Sequence, residues 1–121
     1  MKARKEHRVP LTYPALCATL AGQGIRTGGL LFPAAKGGPL SENTLAKLLA
    51  DMGVNAVPHG FRSTFKDWAR ECMPQVPDEV SELCLAHVND DKTRAAYART
   101  DMLEQRRALL ESWANYLGGA Q

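Results

Sequence analysis

A chain of 121 residues is enough for one modest domain and too short for two. Its 45% apolar share argues against long disorder and for a core that needs no disulfide staples. The net charge of +2, from 15 Lys and Arg against 13 Asp and Glu, rules out a strongly basic nucleic-acid binder of the kind composition alone would announce.

The three cysteines, Cys17, Cys72 and Cys84, stand at wide spacings without a CxxC or zinc pattern. They read as reduced core thiols of a cytoplasmic protein. No run approaches the roughly 20 apolar residues of a membrane helix. The charged start has no apolar stretch, so no signal peptide is expected.

In chain order, Lys2, Arg4, Lys5, His7 and Arg8 crowd the N-terminus with only Glu6 opposing them. Such a short basic arm suits phosphates or simply a solvated surface. Residues 7–11 read as a short strand that Pro10 confines to an edge or an end, with the basic run as the turn of a hairpin. Thr12 caps a helix over about 13–20, with Pro14 in its first turn. Residues 21–39 hold six glycines and two prolines and read as loop, anchored by Leu30-Leu31-Phe32.

Ser41 is the expected N-cap of a helix over about 42–52, whose apolar face is Leu45, Leu48, Leu49 and Met52. Gly53 ends it in the left-handed conformation. A helix over about 59–72 carries the apolar stripe Phe61, Phe65, Trp68 and Cys72. Arg62, Lys66, Asp67 and Arg70 fall largely on its other faces. Pro74 and Pro77 break the chain before a helix over about 78–86, with Val80, Leu83 and Cys84 inward. A short helix over about 93–99 carries Tyr97. Asp101 caps a last helix over about 102–117, with Leu103, Leu110, Trp113 and Leu117 on one side. The fold class expected is mainly α, with a scrap of sheet at the N-terminus.

Five side chains are candidates for chemistry. His59 and Arg62 share one helix face, where a guanidinium forks two donors onto a phosphate. His87 ends a helix and suits a phosphate oxygen. Tyr97, among small neighbours, is an accessible phenol whose ordinary pKa of about 10 requires cations or a base for attack at neutral pH. Lys2 is a candidate general acid. Each has a plain structural reading as well: a surface Arg, a His at a helix terminus, a half-buried aromatic, a charged terminus.

Order and spacing add to this. His59-x-x-Arg62, Leu85-Ala-His87, Thr93 and Tyr97, with His87 and Tyr97 ten residues apart, resemble the boxes of tyrosine site-specific recombinases. The wording around them, His7-Arg-Val-Pro-Leu11, His59-Gly-Phe-Arg-Ser-Thr-Phe65, Ala96-Tyr-Ala-Arg99 and Arg106-Arg107 through Trp113-Ala-Asn-Tyr-Leu117, resembles the prophage-integrase branch over nearly the whole chain.

The resemblance implies the helical catalytic domain of DNA breaking and rejoining enzymes. Tyr97 becomes the nucleophile that forms a 3′-phosphotyrosyl bond. Arg62 and His87 hold non-bridging oxygens, His59 assists proton transfer, and Lys2 falls where the family keeps a hairpin lysine. Neither metal nor cofactor is implied. The partners implied are a double-stranded DNA attachment site and further copies of the enzyme, a tetramer on DNA, without membrane and near the bacterial nucleoid. The family's first catalytic Arg precedes the hairpin, and neither Arg4 nor Arg26 fits its role. The 121 residues therefore read as part of a catalytic domain, expected to be nearly or wholly inactive alone. Two other readings stay open: a DNA-binding or protein-interaction module without cleavage, and a folded relic. A metal site from His59, Cys84 and His87 has no supporting ligand spacing.

Overall fold

Gly53 shows how local sequence closes an element. It follows α2 (Thr44–Asp51) with φ +72°. The Val54 N–H bonds the Leu49 carbonyl at 2.9 Å and the Gly53 N–H bonds the Ala50 carbonyl at 2.9 Å. This pair of reversed bonds satisfies carbonyls that the end of a helix leaves without partners. The sequence expectation for Gly53 holds. That for Ser41 does not: Asn43 occupies the N-cap without a side-chain cap bond, and the Ser41 hydroxyl pairs instead with the Thr44 hydroxyl at 2.9 Å.

The computed structural model describes residues 6–23, 29–87 and 100–119. Among them lie five helices: α1 (Tyr13–Gln23), α2, α3 (Gly60–Cys72), α4 (Asp78–Cys84) and α5 (Leu103–Leu117). The fold is mainly α, as expected. The short helix expected over 93–99 lies outside the described residues. So does the turn of the expected N-terminal hairpin. Residues 6–12 form no strand; Pro10 removes a ladder donor, and no strand among the described residues pairs with this segment.

The chain divides into two compact units, one of Tyr13–Phe61 and the other of the residues on either side of it. In the first, α1 ends close to the Leu30–Phe32 segment. A Cβ on Gly22 would come 2.6 Å from the Phe32 ring, so this position admits only glycine without a shift. The apolar face predicted for α2 exists, but Leu45, Leu48 and Met52 are exposed and none of its residues is buried.

The second unit holds the core. Phe65, Trp68 and Ala69 of α3, Val80 of α4 and Leu109 of α5 are its buried apolar residues. Trp113 of α5 lies edge-on to Phe65 at 5.5 Å between centroids and 4.9 Å from Trp68. Such tilted aromatic pairs contribute about 0.5–1.5 kcal/mol each beyond area burial. α4 packs against α5.

Two faces depart from the apolar pattern. On α3, Phe61 and Cys72 are exposed while Lys66 is buried. On α5, Arg106 and Leu109 are buried, whereas Leu117 is 64% exposed. In both cases a basic side chain takes a place in the interior because partners on other elements receive it.

Candidate functional site

Two of the candidate residues, Arg62 and His87, come to the C-terminus of α4. After Cys84, Leu85 is the C-cap and Ala86 adopts the left-handed conformation with φ +53°. The His87 N–H reaches back to the Glu82 carbonyl at 3.0 Å and the Ala86 N–H to Leu83 at 3.1 Å. This is the same closure as at Gly53, built on an alanine. An L-residue in that region carries a steric cost of about 1–2 kcal/mol. Its turn sends His87 back over the last turn of α4. Arg62 of α3 completes the turn: its Nη2 donates to the Leu85 carbonyl at 2.5 Å, satisfying another orphan acceptor. Ala86→Gly is expected to raise stability by about 0.5 kcal/mol, the relieved strain exceeding the added unfolded-state entropy. A lower urea midpoint for the variant would contradict the strained turn.

Behind this turn runs a ladder of charges. Arg62, Lys66 and Arg70 recur every four residues on α3; Lys66 and Arg70 pair with Asp78 and Glu82, also four apart, on α4, while Arg62 reaches the Leu85 carbonyl. Lys66, with a side chain only 9% exposed, is the central rung. Its ammonium bridges Asp78 Oδ1 at 2.9 Å and Glu82 Oε1, and also donates to Ser81 Oγ at 2.7 Å. Arg70 Nε holds the same Asp78 oxygen at 3.0 Å. The second Glu82 oxygen lies 2.5 Å from His87 Nδ1. A buried ammonium is tolerable because all its donors find oxygen.

These pairs set the carboxyl groups. Arg70, then Lys66, hold the Asp78 carboxyl below its ordinary value. Partial burial pulls the Glu82 carboxyl upward, but its hydrogen bonds to Lys66 and His87, with their charges, outweigh this and leave it lowered. In acid the unfolded chain thus takes up protons before the folded one. The stabilisation is fully present above the ordinary carboxylate range, about pH 4, and is lost as pH falls through the lowered folded-state values. Thermal melts from pH 6 down to pH 2 should show a falling midpoint below about pH 4, and Lys66→Met should flatten that fall. An equally steep fall in the variant would contradict the ladder.

A second cluster ties down the beginning of α5. Arg106 is 1% exposed. One of its terminal nitrogens donates to the Arg8 carbonyl and the other to the Asp101 carbonyl at 3.3 Å. Arg8 in turn pairs its own side chain with the Asp101 carboxylate at 2.6 Å, which, helped by the Leu103 N–H, holds that carboxyl below its ordinary value despite some desolvation. Asp101 is not the cap expected of it: Met102 occupies the N-cap of α5 at φ +48°, without a side-chain cap bond, and Asp101 lies one residue ahead of it. Desolvation raises the Cys84 thiol, against the pull of nearby Arg106. Cys84 is therefore a packing residue held as a thiol, whereas Cys17 and Cys72, also expected in the core, are exposed.

The structure brings Arg62 and His87 to one turn. His59 is exposed in the turn that precedes α3 and belongs to the other unit. Tyr97, Lys2 and Thr93 lie outside the described residues. Sequence reasoning missed Lys66, Glu82 and Arg106. The four-residue spacing of bases on α3 against that of acids on α4 was the available signal for the first two. For Arg106 there was none, since its partners are backbone carbonyls of distant segments. Among the described residues no three His, Cys, Asp or Glu side chains gather as a metal site, and no helix is long and apolar enough to cross a membrane.

The chain is 36% identical to the prophage integrase IntA of Escherichia coli K12 over 99% of its own length. It is 32% identical to the integrase of Enterobacteria phage P4 and 29% identical to that of Shigella phage Sf6, each over 97% of its length. It spans only 30%, 28% and 31% of those proteins, respectively. No family model matches the chain, and no solved structure does.

Proposed function

This chain belongs to the phage integrase family, and from that membership we propose that it is part of the catalytic domain of a tyrosine recombinase acting on a double-stranded DNA attachment site. The observation that carries the reading is the alignment of nearly the whole chain with several integrases. The convergence of Arg62 and His87 on the α4 turn supports it.

In the proposed reaction the Tyr97 hydroxyl attacks a DNA phosphorus. A 3′-phosphotyrosyl bond forms, and the bond to the 5′-oxygen breaks. Lys2 gives that leaving oxygen its proton, and His59 assists proton transfer at the tyrosine; both roles rest on the family resemblance. Arg62 and His87 have structural support as well. Two donors held by one backbone turn keep a fixed spacing, which is what stabilisation of charge on a phosphoryl transition state requires. A guanidinium has five N–H donors, and the bond to Leu85 uses one. The phosphotyrosyl bond conserves the energy of the phosphodiester, so a 5′-hydroxyl reverses the attack without cofactor. Assembly of several copies on DNA, in the bacterial cytoplasm, belongs to the same proposal.

Tested alone, the 121-residue polypeptide should form a covalent adduct on a nicked duplex carrying the IntA attachment site at least about 100- to 1000-fold more slowly than IntA, because none of its residues supplies the donor of the family's first catalytic Arg. A chimera in which residues 1–121 replace the matching segment of IntA should form the adduct, and Tyr97→Phe in the chimera should abolish it. Salt-dependent DNA binding by a chimera that never cleaves would instead favour a binding module.

A further inference from the structure

Glu82 has no part in the reaction just proposed, yet the structure gives it one defined task. Its carboxylate is divided between two partners. Oε1 takes the Lys66 ammonium, and Oε2 lies 2.5 Å from His87 Nδ1. Lys66 cannot easily turn away, because Asp78 and Ser81 hold it as well and its side chain is almost wholly buried. Nor can the His87 backbone, which the Ala86 turn binds to the Glu82 carbonyl. Glu82 therefore meets His87 twice, through the main chain and through the side chain.

We infer that Glu82 is the positioning residue of His87, fixing the proton on Nδ1 and so assigning Nε2 to the phosphate. This rests on the reading of His87 as a phosphate ligand. The chemistry is simple. An ionised carboxylate only accepts hydrogen bonds, so the imidazole nitrogen against it must be the donor. That leaves Nε2 as the nitrogen whose state varies: a lone pair when the ring is neutral, an N–H donor when it is protonated. The doubly protonated ring is the form that donates from Nε2 to a phosphate oxygen. Lys66 keeps Glu82 ionised and in place, and Asp78 with Arg70 keeps Lys66 in place. The charge ladder between α3 and α4 thus ends on the imidazole that the reaction uses.

The test is the tautomer of His87 in the 121-residue chain, read from its two ring 15N shifts at a pH where the ring is neutral. The chain has three histidines, so replacing His7 and His59 isolates the signal. The wild-type ring should carry its proton on Nδ1. Glu82→Gln, whose amide oxygen still accepts, should keep it there. Glu82→Ala should move it to Nε2. An Nε2–H tautomer in the wild type, or an unchanged Nδ1–H in folded Glu82→Ala, overturns the inference. If Glu82→Ala fails to fold, the wild type and Glu82→Gln decide: Nδ1–H in both supports it, and Nε2–H in either overturns it. The measurement uses neither DNA nor cleavage. Its failure therefore leaves the recombinase proposal standing, and a chimera that fails to cleave leaves the tautomer standing.

Discussion

Replacing Arg106 by alanine should lower the stability of the unit that holds the core by about 3 kcal/mol. The side chain is 1% exposed, and its terminal nitrogens bond two backbone carbonyls, of Arg8 and Asp101. Hydrogen bonds from a charged donor contribute about 1.5–3 kcal/mol each, and buried acceptors left alone add a desolvation cost. Against this stands the cost of keeping a guanidinium out of water, aggravated by an Nε that has no hydrogen-bond partner among the described residues. The bonds outweigh it because Arg106 joins segments far apart in sequence: the N-terminal stretch, the approach to α5, and α5 itself. Arg106→Met separates the contributions. It restores much of the packing and removes the buried charge, so it should cost less than alanine but remain destabilising. Urea unfolding monitored by the fluorescence of Trp68 and Trp113 measures both. A loss under about 1 kcal/mol for the alanine variant would mean that the carbonyls find water instead.

Arg62→Ala in the cleavage-competent chimera should lower adduct formation 100- to 1000-fold, the usual loss on deleting one preorganised donor to a developing charge. Arg62→Lys should recover little of it. Lysine keeps the charge but not the planar fork that donates to the Leu85 carbonyl and, in the proposed reaction, would donate to a phosphate oxygen at once. The stability cost should be modest, about 1 kcal/mol, because the Leu85 carbonyl ends a helix near the surface, where water replaces the lost donor. A large fall in cleavage with a small fall in melting temperature is therefore the expected signature. Equal falls in both would make Arg62 a strut of the α4 turn alone.

Two basic residues that look alike in the sequence are thus expected to differ, Arg62 in its effect on cleavage and Arg106 in its effect on stability. Arg62 is partly buried and bonds one carbonyl at the end of α4, whereas Arg106 is 1% exposed and bonds two carbonyls of other segments. Their difference lies in what surrounds them, and sequence spacing carries no information about surroundings contributed by residues 98 positions away.

What the sequence determined by itself was local. Helix-period apolar residues, prolines at 74 and 77 and the glycine at 53 marked the elements to within a few residues, because hydrophobic periodicity and backbone restriction act over one or two turns. The order of His59, Arg62, His87 and Tyr97 carried the family for the same reason: it is a property of the chain read in one dimension. Tertiary structure alone decided which faces were interior. The apolar stripe of α3 lost Phe61 and Cys72 and gained Lys66, and α5 took in Arg106, because acids on α4 and carbonyls beyond it neutralise or bond charges that water would otherwise claim. Burial of a charge depends on where its partners end up in space.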